Sequence, residues 1–388
     1  MSHIYGLDKE GQDLADAASR IARDVAGVNA ADVDSKGRFP EESLAALARD
    51  GFMGLTLPRS VGGTESPPRV FGAVVEELAQ GCASTAMIYV MHVAAAQAIA
   101  SSATLGGKET LLRDIASGKH ITTLAFSERG SRSNFWAPVS KLEQSDGGYR
   151  TDAQKSWVTS AHRANSYVSA AQRPGAASPA ESTVYLVRLP DATSKVLGSF
   201  DGLGLRGNDS APVSLERHIV REQDLVSRQG EGLQCMLEVV LPWFVVGTSA
   251  MANGLCLAAV ADTAAHLTGA GLEHTGSRLR DLPGLRARLA DMSRRTAESR
   301  SLLGYTVSEM EHPDAMTPLY VLQSRLSALQ AAVEVTDLAM KACGGAAFSK
   351  HIRIERLFRD ARAGWVMAPT VDHLEDFIGK ALTGLPLL

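Results

Sequence analysis

Leu124-Ala125-Phe126-Ser127-Glu128-Arg129-Gly130-Ser131-Arg132-Ser133-Asn134, followed further on by Gln154-Lys155-Ser156-Trp157-Val158-Thr159-Ser160, is the stretch from which the rest of the chain is read. Two hydroxyl-bearing turns flank a strand that carries an exposed-looking Trp. Such a pair can bind a flat, redox-active ring. Hydroxyl and backbone N–H groups reach the ring edge and its phosphates, and the indole covers one face. The plain alternative is two polar turns around a core Trp.

Upstream of this stretch, Gly11 to Lys119 reads as helical. Leu14, Ala18, Ile21, Ala22 and Val25 recur at helix spacing. Pro40-Glu41-Glu42 opens a helix with proline where a first turn tolerates it, and Gly51 closes it. Val70 to Leu78 and Ser84 to Ala100 read as long, Ala-rich helices. From Ile121 the character changes to short alternating runs, such as Val184 to Leu189 and Val213 to Glu216, bounded by Gly147-Gly148, Pro174-Gly175 and Gly202 to Gly207. From Gly232 helix spacing returns. Leu285, Leu289 and Met292 mark one face; Leu322, Leu326, Leu329, Val333 and Met340 mark a longer one that stops at Gly344-Gly345. The expected division is 1–120 helical, 121–230 β and 231–388 helical, an α+β chain.

With 388 residues, 45% hydrophobic and 21% charged, the chain is long enough for more than one core. Lys+Arg 39 against Asp+Glu 43 leaves a net charge of -4 with no basic run, which argues against nucleic acid as a partner. Cys82, Cys235, Cys256 and Cys343 are scattered and read as buried thiols of a reducing compartment; neither they nor the His residues have metal-ligand spacing, so no metal is expected. Met1 to Glu10 has no apolar signal core, and the run Val239 to Val246 is broken by Pro242. A cytoplasmic protein that does not cross a membrane is expected.

Gly202-Leu203-Gly204-Leu205-Arg206-Gly207 matches G-x-G-x-x-G. That fingerprint needs a helix after it, and Ala211 to Val220 reads as a strand, so the motif is a plain glycine-rich turn.

Taken together, the pieces resemble the acyl-CoA dehydrogenase superfamily along nearly the whole chain. Gly51 to Pro58, Gly62-Gly63, Glu76-Glu77-Leu78 and Cys82 to Ala86 look like its N-terminal helical domain. Phe126-Ser127-Glu128 with Ser133-Asn134 resembles its first flavin loop, and Lys155-Ser156-Trp157-Val158-Thr159-Ser160 is similar to its Lys-x-Trp-Ile-Thr-Asn. Leu203 to Ser210 resembles its Leu-Gly-x-Arg-Gly-Ser-x-Thr. Cys343-Gly344-Gly345 and Glu355-Arg356-Leu357-Phe358-Arg359-Asp360-Ala361-Arg362 look like its C-terminal signature. The resemblance implies a middle β-barrel-like domain and a C-terminal four-helix bundle. It implies FAD, held by Phe126, Ser127, Ser133, Trp157 and Thr159, with Gly344, Gly345 and Thr370 completing the cofactor-binding set. It also implies an acyl-CoA or related small-molecule substrate and a homodimer or homotetramer.

The chain departs from the pattern where the chemistry is carried. The family's base lies in Tyr-Glu-Gly-Thr shortly after Arg-Asp-Ala-Arg. Here that place is Met367-Ala368-Pro369-Thr370, and Ala368 cannot take a proton. Losing a positioned base costs about 10²–10⁴ in rate. The backbone N–H of Ala368 survives and can still polarise a carbonyl. The alternative base position, around Leu241 to Val246, has no aligned acid. His92, Asp372 and His373 are the candidate replacements, His92 first; each also reads as an ordinary helix or cap residue. Trp243-Phe244 reads as pocket wall or core. The family's Arg-x-x-Phe-Gly aligns with Leu272 to Gly276 and keeps only the glycine. The expectation is a flavin oxidoreductase with nonstandard chemistry, leaning to O₂-using (oxidase or monooxygenase) reactions. The alternatives are a dehydrogenase with a relocated base and a silent acyl-binding paralogue.

Overall fold

In the computed structural model, which describes residues 3–388, α1 (Lys9–Ile21) starts where the Asp8 carboxylate accepts the Gly11 N–H at 2.8 Å, one of the donors a first turn leaves open. A π-helical turn (Ala22–Ala26) leads into α2 (Gly27–Lys36), which ends on Gly37 in a left-handed conformation. α3 (Glu41–Arg49) follows Pro40, and α4 (Pro68–Gly81), α5 (Ala83–Ser101) and α6 (Lys108–Ala116) complete the first helical region. α5 is apolar on every side and buried on every side, lying between β1 and the C-terminal helices.

Seven strands follow: β1 (Thr122–Ala125), β2 (Glu143–Ser145), β3 (Gly148–Val158), β4 (Ser166–Gln172), β5 (Ser182–Arg188), β6 (Ser194–Val196) and β7 (Ala211–Val220). They form two sheets, β1-β4-β5 and β2-β3-β7-β6. The expected barrel-like domain is therefore corrected to two facing open sheets, since no strand pairing closes either one. β5 shows why its alternation is apolar on both sides. Tyr185 and Val187 join the core between the sheets, while Val184 and Leu186 join the helical core behind.

The chain then turns helical again through α7 (Gly232–Gln234), a π-helical segment (Cys235–Val240) and α8 (Leu241–Gly269). The short hairpin β8 (Gly271–Leu272) and β9 (Ser277–Arg278) precedes α9 (Pro283–Glu309), α10 (Thr317–Cys343), α11 (Gly345–Phe348), α12 (Ile354–Val366) and α13 (Val371–Thr383). α8, α9 and α10 pack on one another, α12 packs against α8 and α10, and α4 lies along α8. Pro242 does not break the apolar run, contrary to the sequence reading. It falls just after the π-helical turn, where a widened backbone accommodates a residue that lacks an N–H. The continuous rod 232–269, like α5, is long and apolar enough to cross a membrane; 83% and 89% of their most apolar windows are buried inside the fold.

One buried ion pair fastens the two helical regions. The Arg300 guanidinium on α9 reaches Glu76 on α4 at 2.7 Å, and the Tyr5 hydroxyl donates to the same carboxylate. Glu76 is fully buried, so removing either charge would leave the other uncompensated.

Candidate active site

A cavity of about 740 Å³ opens where the β sheets meet α5, α8 and α12. One wall comes from the loop after β1 and from the end of β3, and includes Phe126, Ser127, Ser133, Trp157 and Thr159. These are the residues singled out from sequence for a flavin, and the fold brings them to one surface.

A buried charge pair holds this wall. The Glu128 carboxylate accepts the Val139 and Ser140 N–H groups at 2.6 and 2.7 Å and meets the Lys155 ammonium at 2.6 Å. Lys155 also donates to the Ala170 carbonyl at 2.7 Å. Burial pushes the Glu128 carboxyl up, but the Lys155 charge and the Ser140 bonds outweigh it and hold it below the usual range. Burial lowers Lys155, and Glu128 opposes that. Two backbone bonds, Arg129 N–H to Gln154 O and Ser156 N–H to Ser127 O, both 2.9 Å, zip the two segments together.

Trp157 sits at a bulge in the β3–β7 pairing, between Lys155 and Val158. Its φ is +56°, a left-handed conformation that a bulky residue seldom adopts, and its side chain is 66% exposed. Arg132 and Leu205, also on this cavity, are left-handed as well. Strain gathered at a cleft, with an aromatic face left open, marks a ligand surface. Thr159 shares a hydrogen bond with the Ser210 hydroxyl at 3.1 Å, which fixes its rotamer beside the Trp.

The glycine motif lies on the rim and is not a dinucleotide turn, for β7 follows it. A Cβ on Gly204 would come within 2.4 Å of the Arg359 carbonyl, and the Leu205 N–H donates to Asp360 at 2.7 Å. The glycine allows the loop to close on α12. Burial raises the Asp360 carboxyl to about 6.

The opposite wall is helical and apolar. Met87 and Met91 come from α5, Phe244 from α8, and Met367 and Ala368 from the end of α12. Behind it lies Arg325, fully buried without a carboxylate. Its guanidinium donates to the Met367 and Pro369 carbonyls at 2.9 and 3.2 Å and to the Thr248 hydroxyl, and lies 5.0 Å from the Phe244 ring centre. Burial alone lowers its pKa to about 9. Arg325 thus clamps the turn on either side of Ala368. Sequence reasoning missed it, although a lone cation between Leu322 and Leu329 was the available signal.

His92 is corrected as a candidate base. It is fully buried on α5 and does not line the cavity. Its Nε2 donates to the Met53 carbonyl at 3.1 Å, and its Nδ1 accepts the Thr122 N–H at 3.3 Å, so both nitrogens are in use. Burial lowers its pKa to about 4. Asp372 and His373 also lie off the cavity; His373 stacks on Phe377 and meets Trp136 edge-on. Gly344 ends α10, Gly345 begins α11 and Thr370 caps α13, and none of the three lines this chain's cavity. Of the aromatic pair, Phe244 lines the cavity and Trp243 packs edge-on to Phe71 in the core.

The charges on the cavity wall are unequal. Among the described residues its two acids are both engaged, Glu128 with Lys155 and Asp201 with Arg206 at 2.9 Å. Arg359 is paired with Asp34 and Glu355. Among the described residues, Arg129, Arg132 and Arg362 have no carboxylate within 4.0 Å. An open indole, convergent hydroxyls and surplus positive charge suit a flat ring carrying a diphosphate, which is the chemistry of FAD.

Comparison with known proteins points the same way. The chain matches the acyl-CoA dehydrogenase N-terminal domain over residues 8–119 and the acyl-CoA dehydrogenase C-terminal domain over 230–382. It is 26% identical over 336 residues to the mitochondrial short-chain specific acyl-CoA dehydrogenase of Bos taurus, covering 86% of this chain and 80% of that protein. Butyryl-CoA dehydrogenase from Megasphaera elsdenii has the same fold, with TM-score 0.91, 20% identity, and coverage of 97% of this chain and 99% of that one. The FAD complex of PigA aligns with TM-score 0.89, 18% identity, and coverage of 97% and 98%. By motif order, by both family domains and by fold, the chain is a flavin-dependent oxidoreductase of the acyl-CoA dehydrogenase superfamily, with FAD as its cofactor.

Proposed function

We propose that the protein oxidises an acyl thioester, or a related small molecule, without a carboxylate base of its own and in an O₂-using reaction. One observation carries this reading: the cavity wall holds no unpaired carboxylate, and Ala368 stands where the resemblance puts the base. FAD, when bound, would supply the redox chemistry, carrying electrons from a separate two-electron donor to O₂. Phe126, Ser127, Ser133, Trp157 and Thr159 hold and orient it on the β side. Met87, Met91 and Phe244 give the substrate an apolar, water-poor surface on the other. The Ala368 N–H has no backbone partner and is available to polarise an acyl carbonyl. With no group on the wall to accept the α-proton, simple desaturation is slowed by about 10²–10⁴. A reaction in which a separate two-electron donor reduces the flavin, and the reduced flavin and O₂ then oxidise the substrate, does not need that group.

The same reading includes self-association. Gly344, Gly345 and Thr370 are off the chain's own cavity, and the two glycines lie by the start of α11, which ends on Phe348, 84% exposed. A homodimer or homotetramer would cover that apolar surface and bring these residues to a neighbour's cofactor.

The test compares two assays on the flavin-loaded protein with straight-chain acyl-CoA substrates. Substrate-dependent oxygen uptake with reduced flavin is expected, with only slow flavin bleaching in the absence of oxygen. Anaerobic bleaching at ordinary enzyme rates, roughly 1–10³ s⁻¹, would replace this reading with a conventional dehydrogenase whose base lies elsewhere.

A further inference from the structure

The loop 127–134 carries two arginines that the fold leaves unused. Ser131 turns inward, its hydroxyl donating to the Glu128 carbonyl at 3.1 Å, and the Asn134 side chain donates to the Ser131 carbonyl at 3.2 Å. These bonds fix the loop and leave Arg129 and Arg132 exposed on the cavity rim. Neither guanidinium makes a hydrogen bond or ion pair among the described residues. The nearest carboxylate in sequence, Glu128, is turned inward and neutralised by Lys155.

Arg132 is also held at φ +51°. Glycine adopts that conformation without penalty, whereas a residue with a Cβ is strained there. A costly residue type at a strained position, with its charge unspent and aimed at a ligand cavity, is the signature of a binding group. Two guanidiniums three residues apart on a rigid loop match phosphate oxygens, which they bind through paired, charge-assisted hydrogen bonds.

We propose that Arg129 and Arg132 form a phosphate clamp on the rim of the cavity. Two ligands of a flavin enzyme acting on thioesters bring phosphate there. One is the FAD diphosphate; the other is the phosphate of a phosphopantetheine arm, and this second source rests on the acyl-thioester reading above. The clamp binds and orients; it takes no part in proton or electron transfer.

The test uses the full chain and the double variant Arg129→Gln/Arg132→Gln. Both residues are exposed and unpartnered, so the variant is expected to fold, as checked by its melting temperature. FAD and riboflavin are titrated into flavin-stripped protein. 4′-Phosphopantetheine and pantetheine are titrated into the FAD-loaded protein. The expected result is a loss of roughly tenfold to a hundredfold for a phosphate-bearing ligand. Its phosphate-free counterpart should change less than about twofold, and wild-type affinity should fall more steeply with salt than the variant's. A loss for FAD alone assigns the clamp to the cofactor; a loss for phosphopantetheine alone assigns it to the carrier arm. FAD and phosphopantetheine binding both unchanged, or riboflavin weakened as much as FAD, overturns the clamp. Failure of wild type to bind phosphopantetheine leaves the FAD titration to decide. Failure of wild type to bind FAD at all would instead sink the flavoenzyme reading.

Discussion

Behind the β wall of the cavity, Lys155 is buried against Glu128 at 2.6 Å; behind the helical wall, Arg325 is buried just as deeply with no acid at all. The first cation is satisfied by a charge, the second by two carbonyls, a hydroxyl and an aromatic face. The paired charges fix two loops against each other, and those loops carry the hydroxyls and the Trp that line the cavity. The unpaired cation fixes one turn, and that turn presents Met367 and Ala368, neither of them an acid. In the proposed function the first wall holds the cofactor. The second takes the substrate in that proposal, and among the described residues it carries no carboxylate.

The sharpest way to break this contrast is to put an acid on the helical wall. Ala368→Glu should speed anaerobic flavin reduction by acyl-CoA by up to about 10²–10⁴ over wild type and should not speed the O₂-using reaction. The new carboxyl sits among apolar side chains, which raises its pKa, so the gained rate should climb with pH. Stopped-flow bleaching across a pH series reads both effects.

Breaking the β wall's pair is the next largest effect. Lys155→Met strands the Glu128 carboxylate and should destabilise the protein by about 3–5 kcal/mol, seen in urea denaturation, with FAD retention lost in parallel. Arg325→Met gives the matched control.

Acid should loosen the two walls in sequence. His92, on the helix that supplies Met87 and Met91, has a folded pKa of about 4 against an ordinary 6.5. The unfolded chain therefore takes up a proton first, and stability is lost as pH falls from 6.5 towards 4, by on the order of 3 kcal/mol. His120 is lowered to about 4 as well and acts in the same window. Glu128 is depressed, so its contribution is present above the ordinary Glu value of 4.5 and is lost only as pH falls further. Denaturation midpoints from pH 7 to pH 4 should slope in wild type and flatten partly in His92→Gln. An identical slope in both would remove His92 from the account.

Arg325→Met should cost less than Lys155→Met, about 1–3 kcal/mol, because it leaves neutral acceptors unpaired but no bare charge. Equal costs in the two variants would erase the distinction between the walls. The smallest effect is Trp157→Ala. Stacking contributes about 0.5–1.5 kcal/mol beyond burial, so FAD affinity should drop by up to roughly tenfold with little change in stability. Flavin fluorescence titration measures it.

Much of the β wall was legible in the chain. Ser127, Ser133, Trp157 and Thr159 lie in two short contiguous segments, so local pattern and family resemblance reach them together. The helical wall was legible only in part. Phe244 and Ala368 were picked out, but Met87 and Met91 are two apolar residues in an all-apolar helix, and no periodicity separates cavity lining from core. His92 shows the limit most clearly. A histidine on a helix that lines the cavity reads as a base until the Met53 carbonyl and the Thr122 N–H are seen to occupy both nitrogens.

By itself the sequence determined the helical–β–helical order, the two β-side segments that line the cavity and the absence of an acid at position 368. These follow from local periodicity, turn chemistry and residue identity, all properties of neighbours in the chain. Only the tertiary structure decided that the sheets stay open, that Pro242 sits inside a continuous helix and that Arg325 braces Ala368. It alone left Arg129 and Arg132 without partners. Burial and charge pairing are set by residues far apart in sequence, and a side chain's chemistry is known only once its surroundings are packed around it.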